Sequence, residues 1–242
     1  MNNTRRIKAF IGAMVLAAAG LAGYASSGSH RVHAYLGLAV LALAAATSRM
    51  KVKLPGINGN MSVNLPFLLT AVMNLSAAEA VLIAGASTLV QCWPRKNAKF
   101  NWQQIIFNVS MMSFATAISV LLANARWFGT VPVLGNPASL LIASAALFVG
   151  QTTSVAAVVA MSENKSAVKL WKELAQLSFP YYVLSAGVTS MVQASGSRLG
   201  WGLTLAVFPV MYVIHRCYRV YFGRMIENVQ NGVLVRAAGA GA

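Results

Sequence analysis

The sequence predicts an all-α fold: a polytopic integral membrane helical bundle of about eight transmembrane segments with both termini cytoplasmic. The first ground is composition. Of 242 residues, 57% are hydrophobic and only 10% are charged, a balance foreign to a soluble domain of this size. The second is pattern: apolar runs near 8–26, 33–49, 61–75, 77–93, 102–124, 137–161, 178–195 and 199–217 approach the roughly 20 residues that carry a helix across a bilayer core. The third is charge. With the N-terminus inside, sixteen of the 19 Lys and Arg fall on the cytoplasmic side, and only Arg31, Arg126 and Arg198 fall outside. Positive residues near span ends stay in the cytoplasm, so this loop-by-loop alternation sets an even number of crossings.

The first run follows MNNTRRIK, which is also how a secretory leader begins. It continues to Tyr24, however, and another run follows after a short loop, so a retained span is expected. The runs 61–75 and 77–93 make a tight hairpin. Residues 61–75 give only about 22 Å of helix against a hydrocarbon core of roughly 30 Å, and Asn64 and Pro66 stand near their start. The hairpin over 61–93 therefore either barely spans or re-enters from the cytoplasmic side; both routes return the chain inside.

Between Glu163 and Leu177, the residues Ala167, Leu170, Trp171, Leu174 and Leu177 recur at helical spacing, with Lys165, Lys169, Lys172 and Glu173 on the other face. This predicts a helix lying on the cytoplasmic surface with Trp171 at headgroup level. Pro180 then opens the following span in its first turn, where a missing N–H costs little. No internal repeat or linker divides the chain. Residues 1–217 are expected as one transmembrane domain, and 218–242 as a short basic cytoplasmic helix and flexible tail.

Composition also removes function classes. The chain has no Asp, 4 acidic residues in all and 3 His, so carboxylate dyads, Ser-His-Asp triads and most metal sites lack their residues. The expectation is a non-enzyme with no catalytic residue, no metal and no cofactor. His30, His33 and His215 read as interfacial residues, and Cys92 and Cys217 as reduced cytoplasmic thiols. The net charge of +15 is dealt out one cluster per inner loop. That suits a bilayer with anionic headgroups better than nucleic acid, which wants its basic residues gathered on one aromatic-laced surface.

The candidate functional residues are polar groups inside apolar runs. Ser76-Ala77-Ala78-Glu79 is a capping box, in which Ser76 caps the Glu79 amide and the Glu79 carboxylate returns to the Ser76 N–H. Proton or cation binding by Glu79 is the less favoured alternative. Gln91, Gln104 and Asn108 could line a polar pocket, with Gln151 and Tyr182 further candidates near mid-membrane; each could equally be interhelical glue. Trp171, Arg216 and Arg219 read as membrane-interface anchors.

The stretch 61–122 resembles the multi-span N-terminal membrane region of bacterial signalling proteins that carry HD-GYP, HD or GGDEF output domains. The likeness lies in a short hydrophobic hairpin, then Gln91-Cys92-Trp93 where those proteins have Gln-x-x-Trp, a basic turn, and Phe107-Asn108. The run from His215 to Tyr221 resembles their signalling helix. The resemblance covers about half the chain and implies a sensor region; with no HD, GGDEF or kinase motif, it implies the membrane module without an output activity. A weaker similarity, without shared motifs, is to the substrate-binding S components of energy-coupling-factor vitamin transporters.

The expected function is a non-enzymatic sensory or scaffolding module of the cytoplasmic (inner) membrane, acting through a protein partner met by the helix Arg216–Glu227. The alternatives are a small-molecule binding or transport protein, and an accessory subunit of a larger membrane complex.

Overall fold

The computed structural model describes residues 3–27, 33–53, 60–94, 101–125, 132–199 and 207–224. Among these are seven helices, α1 (Asn3–Ser26), α2 (Ala34–Ser48), α3 (Leu65–Asn74), α4 (Ala77–Cys92), α5 (Trp102–Asn124), α6 (Pro132–Glu163) and α7 (Ala167–Leu199). An eighth, α8, covers 207–224. Strands β1 (Lys51–Lys53) and β2 (Asn60–Ser62) pair antiparallel, with Val52 opposite Met61. The chain is a helical bundle in which Arg5–Ser26, Trp102–Asn124 and Pro137–Glu163 are long and apolar enough to cross a membrane. Helices α2, α3 and α4 are apolar but shorter.

The centre of the bundle is α3. All eight residues from Leu65 to Val72 are buried, and the helix touches α2, α4, α5, α6 and α7. Its sequence explains this placement: LPFLLTAVMN has no charge and no polar face, so a helix apolar all round has to be encased. The hydroxyl of Thr70 is absorbed by the Pro66 carbonyl at 2.8 Å. Pro66 sits in the first turn, where no N–H is missed.

Around α3, α5 forms a spine against α1, α4 and α6. Small residues let the backbones approach. A Cβ on Gly85 would stand 3.3 Å from Ser113 Oγ, and one on Gly150 would stand 3.0 Å from Ala115 Cβ.

The structure corrects two sequence expectations. The run 61–75 is not helical from its start: Asn60–Ser62 is strand, and α3 begins at Leu65. The hairpin of α3 and α4 is therefore led in by a β-ribbon that periodicity did not suggest. The second correction concerns 163–195. The expected surface helix and following span are one helix, α7, which passes through Pro180. Leu170, Leu174, Ser178, Tyr181, Tyr182, Ser185 and Thr189 are all buried, so the apolar stripe of the first half continues in phase into the second. Gln176 and Pro180 are both exposed, so the carbonyl that Pro180 cannot bond lies on the outer side of the helix, where the break costs least. The lysines that suggested a separate surface helix occupy the opposite face.

Candidate functional site

Most polar side chains inside these helices return to their own backbone. Thr88 donates to the Ala84 carbonyl at 2.7 Å, Ser119 to Ala115 at 2.7 Å, Ser154 to Gly150 at 2.7 Å and Ser178 to Leu174 at 2.6 Å. Such groups are satisfied within one turn and line nothing. The informative bonds are those that cross between helices, and they gather in two places.

The first is the buried start of α3. The Leu65 N–H donates to the Tyr181 hydroxyl of α7 at 3.2 Å. The Thr189 hydroxyl, two turns further along α7, faces the Pro66 carbonyl at 3.3 Å and that of Ser185 at 2.9 Å. On the other side, the Asn64 amide reaches Ser87 Oγ of α4 at 3.5 Å. Every residue named here is buried. A helix that starts inside a bundle leaves N–H groups that water cannot reach, and α7 supplies the partner for the first of them.

The second place is the face between α6 and α7. The Tyr182 hydroxyl donates to Gln151 Oε1 at 2.6 Å, and the Trp171 indole N–H donates to Thr152 Oγ1 at 3.2 Å. An open apolar groove of about 240 Å³ lies beside Trp171, lined by Thr153, Ala156, Ala157, Ala167, Val168 and Trp171. Trp171 is half-buried, with its one donor engaged by Thr152.

An aromatic chain links these two places and continues beyond them. The ring of Phe148 on α6 meets Tyr182 edge-on at 5.1 Å between centroids; Tyr182 meets Tyr181 at 6.2 Å; Tyr181 meets Tyr218 of α8 at 6.2 Å; and Tyr218 meets Phe222 at 5.6 Å. The first three pairs are edge-on, a favourable geometry at these separations, and Tyr218–Phe222 is tilted at 46°. Arg216 and Arg219 are exposed on the same helix α8, while His215, expected as an interface anchor, is buried. The remainder of the expected contact helix, beyond Arg224, lies outside the described residues.

The other predicted pocket residues lie at the α4–α5 junction. Asn108 Nδ2 donates to Cys92 Sγ at 3.2 Å, tying α5 to the last turn of α4, where Gln91 is half-buried. Gln104 is exposed in the first turn of α5, where its backbone N–H is capped by Asn101 Oδ1 at 3.3 Å. Gln151 and Tyr182 are paired with each other on α6 and α7, away from α4.

The capping box forms as read. Ser76 Oγ accepts from the Glu79 N–H at 3.3 Å, and Glu79 Oε2 accepts from the Ser76 N–H at 3.0 Å. The sequence did not show that the other carboxylate oxygen, Oε1, accepts the His33 N–H at 2.9 Å. His33 is the N-cap of α2, so one carboxylate closes the starts of two helices and holds them at one level. No local pattern signals a contact across 46 residues.

Sequence reasoning also missed the convergence of α7 on α3, although Tyr181, Ser185 and Thr189 at spacings of four were its visible trace. Among the described residues no three of His, Cys, Asp and Glu come together to hold a metal ion. Compared with protein-family models, with curated proteins and with solved structures, the chain matches none.

Proposed function

We propose that this chain is a non-enzymatic sensory or scaffolding module of a bacterial-type inner membrane, multi-pass with about eight segments and both termini cytoplasmic, that acts through a partner protein. The observation that carries this reading is the aromatic chain from Phe148 through Tyr182 and Tyr181 to Tyr218 and Phe222. It joins the interhelical polar bonds of α6 and α7 to α8, the helix that presents Arg216 and Arg219. Chains of packed side chains are one route by which a change at one place biases a distant element, and this one ends on the helix expected to meet the partner. The resemblance of 61–122 and 215–221 to the membrane region of HD-GYP and GGDEF signalling proteins supports the same reading.

The test is a nanodisc purification with a photo-crosslinking residue at Arg219 and, in a second preparation, at Tyr24, followed by mass spectrometry of everything retained. The expected result is one discrete protein captured from Arg219 and absent from the Tyr24 preparation. A retained small molecule with no protein partner would overturn it in favour of small-molecule binding or transport.

A further inference from the structure

The lipid-facing side of α2 and α4 is short at both ends. Helix α2 has 15 residues and α4 has 16, or about 22 and 24 Å of helix. Their starts are level, because Glu79 accepts from His33 at the head of α2 and from Ser76 at the head of α4. Their far ends are closed by Arg49 and Lys51 after α2 and by Trp93 after α4. Between these polar limits the outward residues are apolar: Tyr35, Leu38, Leu82 and Leu89 are 94%, 65%, 70% and 42% exposed. The helix α3 behind them is shorter still, so nothing in this block extends the belt.

Resting on the membrane reading above, we infer that the α2–α4 face takes a locally thinned bilayer, built from lipids with short acyl chains, as its partner. An ordinary hydrocarbon core of roughly 30 Å exceeds this belt by about 6–8 Å, a little over one helical turn's rise shared between its ends. Either lipid thins around the face or His33, Glu79, Arg49 and Trp93 are drawn into hydrocarbon, and thinning is the cheaper response. Glu79 makes the mismatch rigid: α2 cannot slide along α4 to lengthen the belt without losing the His33 bond. The long helices α6 and α7, with 32 and 33 residues, pull the other way. The direction of the lipid preference therefore reports which block governs.

The experiment is reconstitution of the full chain into vesicles of dimyristoleoyl, dioleoyl or dierucoyl phosphatidylcholine, with the thermal midpoint read in each. The expected result is a midpoint about 5 °C higher in the dimyristoleoyl vesicles than in the dierucoyl ones. A flat response, or a maximum in the dioleoyl or dierucoyl vesicles, overturns the inference while leaving the membrane reading in place. Release of the chain from all three vesicles by alkaline carbonate overturns both.

Discussion

The short block of α2, α3 and α4 and the long pair of α6 and α7 are held together by different kinds of bond. In the short block the tertiary hydrogen bonds go mostly to backbone, Leu65 N–H to Tyr181, His33 N–H to Glu79 and Thr189 to the Pro66 carbonyl, with the Asn64 amide to Ser87 Oγ as the side-chain exception. In the long pair they run from side chain to side chain, Tyr182 to Gln151 and Trp171 to Thr152. Length explains the difference. Each helix end carries N–H or carbonyl groups without an intrahelical partner; the start of α2 at His33 is exposed, but the start of α3 at Leu65 is buried, where water cannot serve them. Those groups must find a neighbour or remain unsatisfied. A long helix carries its ends out of the packed region and leaves only side chains to pair.

That comparison can be broken or sharpened by four substitutions, read as thermal or denaturant stability in one detergent or vesicle system. The largest effect is expected at Leu68, which is fully buried in α3; Leu68→Ala should cost about 2–4 kcal/mol, because five neighbouring helices cannot all close on the space. A loss under about 1 kcal/mol would show that α3 is not the packed centre.

Tyr181 and Tyr182 give the direct contrast, since they are adjacent and both buried. Tyr181→Phe leaves the buried Leu65 N–H without its acceptor and should cost about 1–3 kcal/mol.

Glu79→Gln comes next. Read from the capping box alone, Gln could close the box and the change would be nearly silent. The structure alters that expectation, because a single amide oxygen cannot serve both His33 and Ser76. The expected loss is about 1 kcal/mol, with faster amide exchange at the first turn of α2. Unchanged exchange there would argue that the His33 bond does not hold α2.

The smallest effect is expected for Tyr182→Phe, which removes a side-chain pair and leaves Gln151 free to turn toward other partners. Interhelical pairs of this kind average about 0.6 kcal/mol. If Tyr182→Phe costs more than Tyr181→Phe, the distinction between backbone and side-chain fastening fails.

Much of the fold could be read before the structure because its signals are local. Ser76 and Glu79 stand three residues apart, so their box is complete in one turn of helix. The ends of α2, α4 and α5 fall within a few residues of the apolar runs that announced them. Where the reading went astray, the deciding partner was distant in sequence. The amphipathic pattern of 163–177, with Lys169 and Lys172 on the face opposite Leu170 and Leu174, holds, but Pro180 reads locally as a helix start and not as an interior residue of one long helix. The stripe from Leu170 to Thr189 had to meet α6 before it was visible as one face. Gln91, Gln104 and Asn108 sit near the ends of adjoining runs, and the structure ties Asn108 to Cys92 beside Gln91 while Gln104 is exposed. Whether neighbouring polar groups converge depends on helix rotation, which apolar periodicity fixes poorly when all faces are apolar.

The sequence by itself determined the helical bundle, the approximate extent of its apolar helices and the capping box of α4, since each depends on residues within a turn or two of one another or on bulk composition. Only the tertiary structure decided that α3 lies at the centre, that α7 runs unbroken through Pro180, that Glu79 also closes α2, and that aromatic rings connect α6 through α7 to α8. Those outcomes depend on which helix faces which. In a chain so uniformly apolar, that choice is made by close packing at Gly85 and Gly150 and by the few buried polar groups that must be satisfied.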